Sequence, residues 1–518
     1  MSVDVATRAG RREWIGLTVL ALPCLVYAMD LTVLNLAVPS LSAELHPSST
    51  QLLWIVDVYG FTLAGSLITM GTLGDRIGRR RLLLIGAAVF GLMSTVAAYA
   101  TSPTMLIAAR ALLGLAGATI APSTLSLIRT MFEDPRQRSV AIGVWIASFS
   151  AGGTAGPLLG GILLEQFWWG SVFLLALPVM GLLLIVGRRL LPEFRDPAGG
   201  RIDLYSAAMS LVAVLAVVYG LKQIAQHGLG PAAVTSTLAG LAVGIAFVRR
   251  QRRLADPLLD LQLFRAPAFS SALVAYTLGI LVVFGFDLFI GQYLQLVLGL
   301  SPLRAALWLV PSALGFVVGS LVGPRLVRHL RPALVMAIGM SFGAIGFGPL
   351  TLVGGQSGLA LVVIGSTVFT LGLGPVFTLA TDVVVGAAPP ERAGAASAIS
   401  ETGAELGGAL GIAILGSIGT AVYRSQVPDT LPAAARDTLG GAVQGVASMP
   451  ERVGAPLLDA AREAFTHGLQ VTAGVCAAIV LAGAVLTMVM LRRTGDVVEP
   501  DESGQSRTAE DQMVGRVC

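Results

Sequence analysis

The sequence predicts an all-α polytopic membrane protein, and three observations predict it. Of the 518 residues, 55% are hydrophobic and 12% charged, and the mean hydropathy is +0.80. A soluble fold of this length needs far more polar residues to face water. Apolar runs of about 18 residues or more, enough to cross a bilayer, recur from end to end. The basic residues fall in short loops between those runs, as the positive-inside rule requires. Basic charge scattered among short loops also argues against nucleic acid as a partner, despite a pI of about 9.2. The 62 glycines suit close packing of membrane helices. Cys24, Cys476 and Cys518 have no metal or redox spacing. No cofactor is expected.

Taken in order, the spans fall at about 15–37, 51–71, 82–100, 104–128, 139–163, 168–187, 204–221, 232–248, 268–296, 304–323, 333–352, 358–385, 394–422 and 468–491. The first is too long for a signal h-region and no small-residue cleavage pattern follows it, so it is expected to stay in the mature protein. Fourteen spans put both termini on one side. That side then receives nearly all of the 34 Lys and Arg residues. Only Lys222, Arg304, Arg424, Arg436, Arg452 and Arg462 fall on the other, and Arg110 lies within a span. One span more or fewer scrambles this asymmetry, so both termini are expected in the cytoplasm.

Two segments interrupt the rhythm. Residues 188–203 form a polar linker after span six. Residues 423–466 form the one long outer loop, in which "PDTLPAAARDTLGGAVQGVA" and "GAPLLDAAREAF" read as two short helices of an outer hairpin. The acidic tail from about Asp496 is expected to be disordered.

Charges inside spans carry the functional information. A charge at the bilayer centre costs at least ~2.5–3.5 kcal/mol, so each should face a bundle interior or a watery cavity. The acids are Asp30, Asp57, Asp287, Asp382, Glu401 and Glu405; Arg110 is the matching cation. Asp30 lies near the middle of span one. Asp57 is about two turns into span two. Glu401 and Glu405 are four apart and share a helix face, where their mutual repulsion suits groups that take up protons or receive a cation. Structural hydrogen bonds, or an ion pair with Arg110, are the competing roles. Trp54, Tyr59, Trp145, Phe149, Phe286 and Tyr293 are candidate π faces for a cation that cannot hydrogen-bond.

In "GTLGDRIGRRRLL", residues 71–83, Gly71 permits close packing, Asp75 can cap or pair at the inner end, and Gly78 allows the turn before the arginines. The set Gly71, Asp75, Arg76, Gly78 and Arg79 resembles the signature loop of the major facilitator superfamily. "AGGTAGPLLGG", with Gly152, Gly156, Pro157, Gly160 and Gly161, resembles that superfamily's antiporter motif, a bent and closely packed face suited to resisting leak between halves. Arg110 occupies the place of the family's fourth-span arginine. "MDLTVLNLAVPS" resembles the first-span motif of the fourteen-helix drug:proton antiporters, with Val38 where Leu is usual. Asp57, the Glu401 and Glu405 pair and the long outer loop narrow the likeness to exporters of quaternary ammonium compounds and cationic dyes.

The resemblance, which covers essentially the whole chain, implies a major facilitator fold. An N-terminal six-helix bundle (1–187) is followed by a cytoplasmic linker (188–203) and an inserted helix pair (204–248). A C-terminal six-helix bundle (249–491) carries the outer loop 423–466, and the tail is 492–518. It implies a proton-coupled exporter of hydrophobic cationic drugs in the bacterial inner (plasma) membrane. Its partners are drugs, protons and lipid, and a monomer is expected. Asp30, Asp57, Glu401, Glu405, Asp287 and Asp382 would serve proton coupling or cation recognition, and Arg110 proton handling. The second half has no good copy of the Asp75 loop, since "GPRLVRHLRP" lacks an acid. Export of a neutral or anionic compound, such as an antibiotic, siderophore or lipid, is the alternative. No G-x-x-x-x-G-K-[ST] loop and no nucleophile–His–acid set occurs, so neither ATP-driven transport nor an enzyme is expected.

Overall fold

Serine, aspartate and proline decide where the helices begin. Ser48 caps the second helix reciprocally with Gln51, and Ser102, Asp134 and Ser301 cap others through their side-chain oxygens. Proline occupies the first position of six helices, where its missing N–H leaves nothing unsatisfied. In the computed structural model the described residues are 8–195, 203–227, 230–254, 257–354, 358–428, 436, 438–446 and 449–492.

Among them, fourteen helical segments are long and apolar enough to cross a membrane, and no strand occurs. They are α1 (Arg11–Leu45), α2 (Ser49–Ile77), α3 (Arg79–Ala98), α4 (Pro103–Met131), α5 (Pro135–Gln166), α6 (Ala176–Leu190), α7 (Leu204–His227), α8 (Pro231–Gln251), α9 (Pro267–Gln292), α10 (Pro302–Leu326), α11 (Pro332–Leu350), α12 (Gly358–Ala387), α13 (Ala393–Gln426) and α14 (Glu451–Arg492). The sixth span is broken near its start. A short turn, Ser171–Leu174, precedes α6 because Pro178 has no N–H to return to the Leu174 carbonyl. The ninth span ends in a π turn, Tyr293–Val297.

Two expectations meet a different outcome in the outer loop. A short helix, Leu439–Val446, represents part of its first arm, and residues 429–435 lie outside the described set. The second arm is not a separate helix. It runs without a break into the last span, giving a single helix of 42 residues. Residues 196–202 of the linker and the tail from 493 also lie outside the described residues.

Helices α1–α6 pack on one another through α1/α5, α2/α4 and α3/α4, and α9–α14 through α9/α13, α10/α12 and α11/α12. The inserted pair α7/α8 packs together, with α7 also against α2 and α13. Asp203 ties this pair: it accepts from the Ser206 backbone N–H at the start of α7 and from Arg250 on α8 at 2.6 Å. Hydrogen bonds from Arg250 and Ser206 hold its carboxyl down to about 2. A depressed value means that this contribution is complete above the ordinary carboxylate range and is lost only as pH falls toward 2.

The two six-helix groups meet along α5/α10 and α2/α13, with glycines at the closest approaches. A Cβ on Gly71 would stand 2.5 Å from the Gly394 carbonyl oxygen, and one on Gly143 would stand 2.7 Å from that of Ser320. Both contacts lie toward the end of the array that carries Arg79, Arg129 and Arg138, called here the arginine-rich end. The joint therefore closes there through backbone against backbone. Gly71→Val should prevent this closure. A cysteine placed at Ser320, in a background without native cysteines, should then react faster with a maleimide probe, and equal rates in the two backgrounds would contradict the assignment of Gly71.

Candidate functional site

Asp30 and Arg110 form a buried ion pair. On α1, Asp30 Oδ2 accepts from Arg110 Nη1 of α4 at 2.8 Å, with both side chains less than a tenth exposed. Arg110 is held on its other sides as well. Its Nε donates to the Ile55 carbonyl at 3.1 Å, and its guanidinium lies 4.8 Å from the Tyr59 ring centre. The pair thus ties α1, α2 and α4 together. Breaking such a pair strands a charge, at roughly 3–5 kcal/mol.

Asp57 is also paired, with a residue that the sequence reading left at the outer loop. Lys222 lies within α7 and reaches Asp57 Oδ1 at 2.5 Å. Its ammonium stands 4.8 Å from the Phe61 ring centre.

Glu401 and Glu405 sit where the two groups of helices face each other. Glu405 accepts from the Tyr27 hydroxyl of α1 at 3.5 Å. Glu401 is buried, and its Oε1 has no hydrogen-bond partner among the described residues. A buried carboxylate oxygen without a donor has an unmet demand for a proton or a cation.

The other predicted residues divide. Tyr59, Trp145 and Phe149 converge around Tyr27, with Tyr59 also against Arg110. Phe149 meets Tyr27 edge-on at 5.5 Å and Trp145 at 4.7 Å, and Trp145 donates to Thr124 at 2.9 Å. Phe286 does not join them: it meets Phe347 and Phe369 edge-on in the core of the second group. Tyr293 is buried at the π turn with its hydroxyl against Gly358, and Trp54 is exposed beside Phe61. Asp287 lies on an exposed face of α9 with Phe284 and Leu288 and joins no ion pair among the described residues. Asp382 is away from the cluster. It accepts from Arg138 of α5 at 2.8 Å, a tie between the two groups at the arginine-rich end.

The loop after α2 builds the rest of that tie. Asp75 accepts from the backbone N–H groups of Gly394 at 3.1 Å and Ala395 at 3.0 Å, at the start of α13, where free amides and the helix dipole favour an anion. Glycine at 394 is what lets the carboxylate approach, since a Cβ there would sit 2.5 Å from Asp75 Oδ1. Arg79 is fully buried. It donates to Asp75 at 2.9 Å, to Thr130 at 2.9 Å and to the Pro390 carbonyl across the joint. Arg129 adds bonds to the Gly386 and Ala388 carbonyls. Gly78 has φ +112°, and a Cβ there would strike Glu193. Arg76 follows Asp75 in the last turn of α2.

The α5 glycines serve a different contact from the expected one. Gly152 and Gly156 pack on α1, against Leu25 and Thr32, within the first group of helices. Pro157 lies inside α5 and Gly160 is buried, whereas a Cβ on Gly161 would meet nothing within 4 Å. The α5 glycine that meets the other half is Gly143. A cavity of about 1050 Å³ lies elsewhere, between the segment after α8 and the turn before α13, with Asp260, Phe264, Arg265 and Arg392 on its wall; none of the predicted acids borders it.

The comparisons agree with this architecture. The Major Facilitator Superfamily model matches residues 20–412. The chain belongs to the major facilitator superfamily. It is similar to the multidrug efflux pump LfrA of Mycolicibacterium smegmatis, 45% identical over 494 residues, which cover 94% of this chain and 98% of that protein. It is also similar to the methyl viologen resistance protein SmvA of Salmonella typhimurium, 36% identical over 88% of this chain and 93% of that one. Among solved structures, the human organic anion transporter MFSD10 shares the fold, with a TM-score of 0.60, covering 92% of this chain and 99% of that one at 16% identity.

Within this transporter superfamily member, sequence reading missed Tyr27, Lys222, Arg129, Arg138 and Gly143. Lys222 was detectable as the one lysine in the chain, at the end of an apolar run. The arginines were read as loop charges, and nothing in their spacing marked them as partners.

The buried pair gives a prediction. Arg110→Gln and Asp30→Asn should each lower the unfolding temperature of the purified protein, the former more, since it strands a carboxylate. The double variant should recover part of the loss, by about 1 kcal/mol or more of coupling. Strictly additive losses would show that the two side chains do not depend on each other.

Proposed function

We propose that this protein is a proton-coupled multidrug efflux antiporter for hydrophobic, mostly cationic compounds. It acts in the bacterial inner membrane with both termini in the cytoplasm. The names of its relatives support efflux. The arginine bias supports the orientation, under which the closed, arginine-rich end is cytoplasmic. The observation that carries the coupling is the Glu401 and Glu405 pair on α13, facing Tyr27 of α1 across the joint, with one buried oxygen unpartnered.

In this reading a hydrophobic cation is drawn to the ionised glutamates from the cytoplasmic side or inner leaflet, with Tyr27, Tyr59 and Phe149 offering ring faces. The Asp75 and Arg79 ties then re-form and close that end. Protons from outside neutralise the glutamates and weaken the hold on the cation, which leaves outward. Each proton or cation bound by the pair relieves the same repulsion, so the two compete, as exchange requires. Asp30 and Arg110 are assigned to proton handling as a pair, since neither is free of the other.

A second reading, export of a neutral or anionic compound, is favoured by one observation. Arg110 and Lys222 already neutralise Asp30 and Asp57, so the acidic surplus rests on the two glutamates. Proteoliposomes with an imposed pH gradient separate the readings. Wild type should move ethidium and tetraphenylphosphonium in response to the gradient. Glu401→Gln should reduce that flux about tenfold or more, or about 1.4 kcal/mol. Undiminished flux in Glu401→Gln refutes the role given to this carboxylate, and gradient-insensitive flux in wild type refutes proton coupling.

A further inference from the structure

Lys222 is the one lysine of the chain, and it stands on an inserted helix that touches both halves. Its surroundings are those that a drug-like cation would seek. One carboxylate, Asp57 Oδ1, lies at 2.5 Å. An aromatic face, Phe61, lies 4.8 Å below the ammonium, and that ring is itself braced edge-on by Trp54 at 6.2 Å and Tyr219 at 6.3 Å. A second carboxylate, Glu405, stands on α13, which α7 also touches, with Glu401 one helical turn away.

The pair is not sealed in. The lysine side chain is 31% exposed and that of Asp57 is 17% exposed, unlike the buried Asp30 and Arg110 pair. A partly exposed pair of this kind is weak and exchanges partners readily. Lysine also has a flexible four-carbon stem that lets its charge move toward water, and α7 ends five residues later at His227. Nothing comparable holds for Arg110, whose planar fork is fixed by two helices.

We propose that Lys222 is a tethered internal cation that occupies the Asp57 and Phe61 subsite when no substrate is bound. A cationic substrate must displace it, so that Lys222 sets the threshold for cation recognition. This rests on the cation-export reading above and deepens it. The inserted pair then does more than fill space beside the bundle: α7 delivers a competitor. Small or strongly hydrated cations gain too little from Phe61 to displace the ammonium. Large aromatic or lipophilic cations gain the ring contact and lose little hydration, so they win.

The test is equilibrium binding of tetraphenylphosphonium to the full chain in nanodiscs, without a gradient. Lys222→Gln removes the charge and keeps a hydrogen-bond donor for Asp57, so the helix contact survives, while Lys222→Met removes both. Each is expected to bind the probe about 5-fold tighter or more, the effect of deleting one like charge near the site. Lys222→Arg should bind no tighter than wild type. Asp57→Asn added to Lys222→Gln should abolish the gain. Unchanged or weaker binding in a Lys222→Gln protein that unfolds at the wild-type temperature would overturn the proposal and leave the export reading standing. A wild type that neither binds nor transports the probe would overturn both.

Discussion

An ionised carboxylate taken out of water needs a cation or several hydrogen-bond donors, and the arrangement of this helical array follows from how each acid meets that need. Asp75 meets it with two backbone amides and a buried arginine, Asp30 with Arg110, and Asp382 with Arg138. These acids are locked. Asp57 is met by a partly exposed lysine and Glu405 by a long bond from a tyrosine. Glu401 is left with an oxygen that has no partner among the described residues. Charge satisfaction is therefore complete at the arginine-rich joint and at the Asp30 and Arg110 pair, and incomplete at Asp57 and the two glutamates.

The joint itself depends on an unusual economy of atoms. Gly71, Gly143 and Gly394 let backbones meet, and the start of α13 offers its free amides to a carboxylate of the other half. Such a contact has no side-chain freedom to absorb a shift. It is either made or broken, which is the bistable character that alternating access needs. Asp382 belongs to this system although its position in an apolar run resembles that of a recognition acid. Its partner, Arg138, comes from the opposite half, so the bond ties the two halves at that end.

Hydropathy and arginine placement made the spans legible, because a bilayer imposes a length and a charge asymmetry that survive in any sequence. The acids were legible as costs. Their partners were not. Helices surrounded by lipid are apolar all round, so the pattern does not say which face meets protein. Phe286 and Phe149 look alike in sequence, yet one fills a core of phenylalanines and the other lies beside Tyr27 and Trp145. Arg138 and Lys222 were assigned to loops because positive charge near a span end is ordinarily topology. Gly152 and Gly156 were read correctly as close-packing residues but their neighbour, α1, could not be read from α5 alone. The run from the outer loop into α14 was hidden for a local reason: Gly468 and the polar residues before it look like a break, but a helix tolerates them where another helix covers the turn.

The charge balance of the site explains why acids and bases are mixed in it. A bundle holding four carboxylates and no cation would repel itself in the empty state, and one fully neutralised by arginine would hold nothing else. Arginine cannot give up its proton, and its fork is slow to leave a bidentate or multi-bonded setting. Lysine on a flexible stem can leave. Under the proposed exchange, Asp57 faces the lysine at rest and the drug when one is bound, so its charge is matched in either case, while protons neutralise the two glutamates in turn. A helix pair inserted between the two halves is well placed to supply the proposed movable charge, because it touches α2 and α13 without belonging to the closing joint.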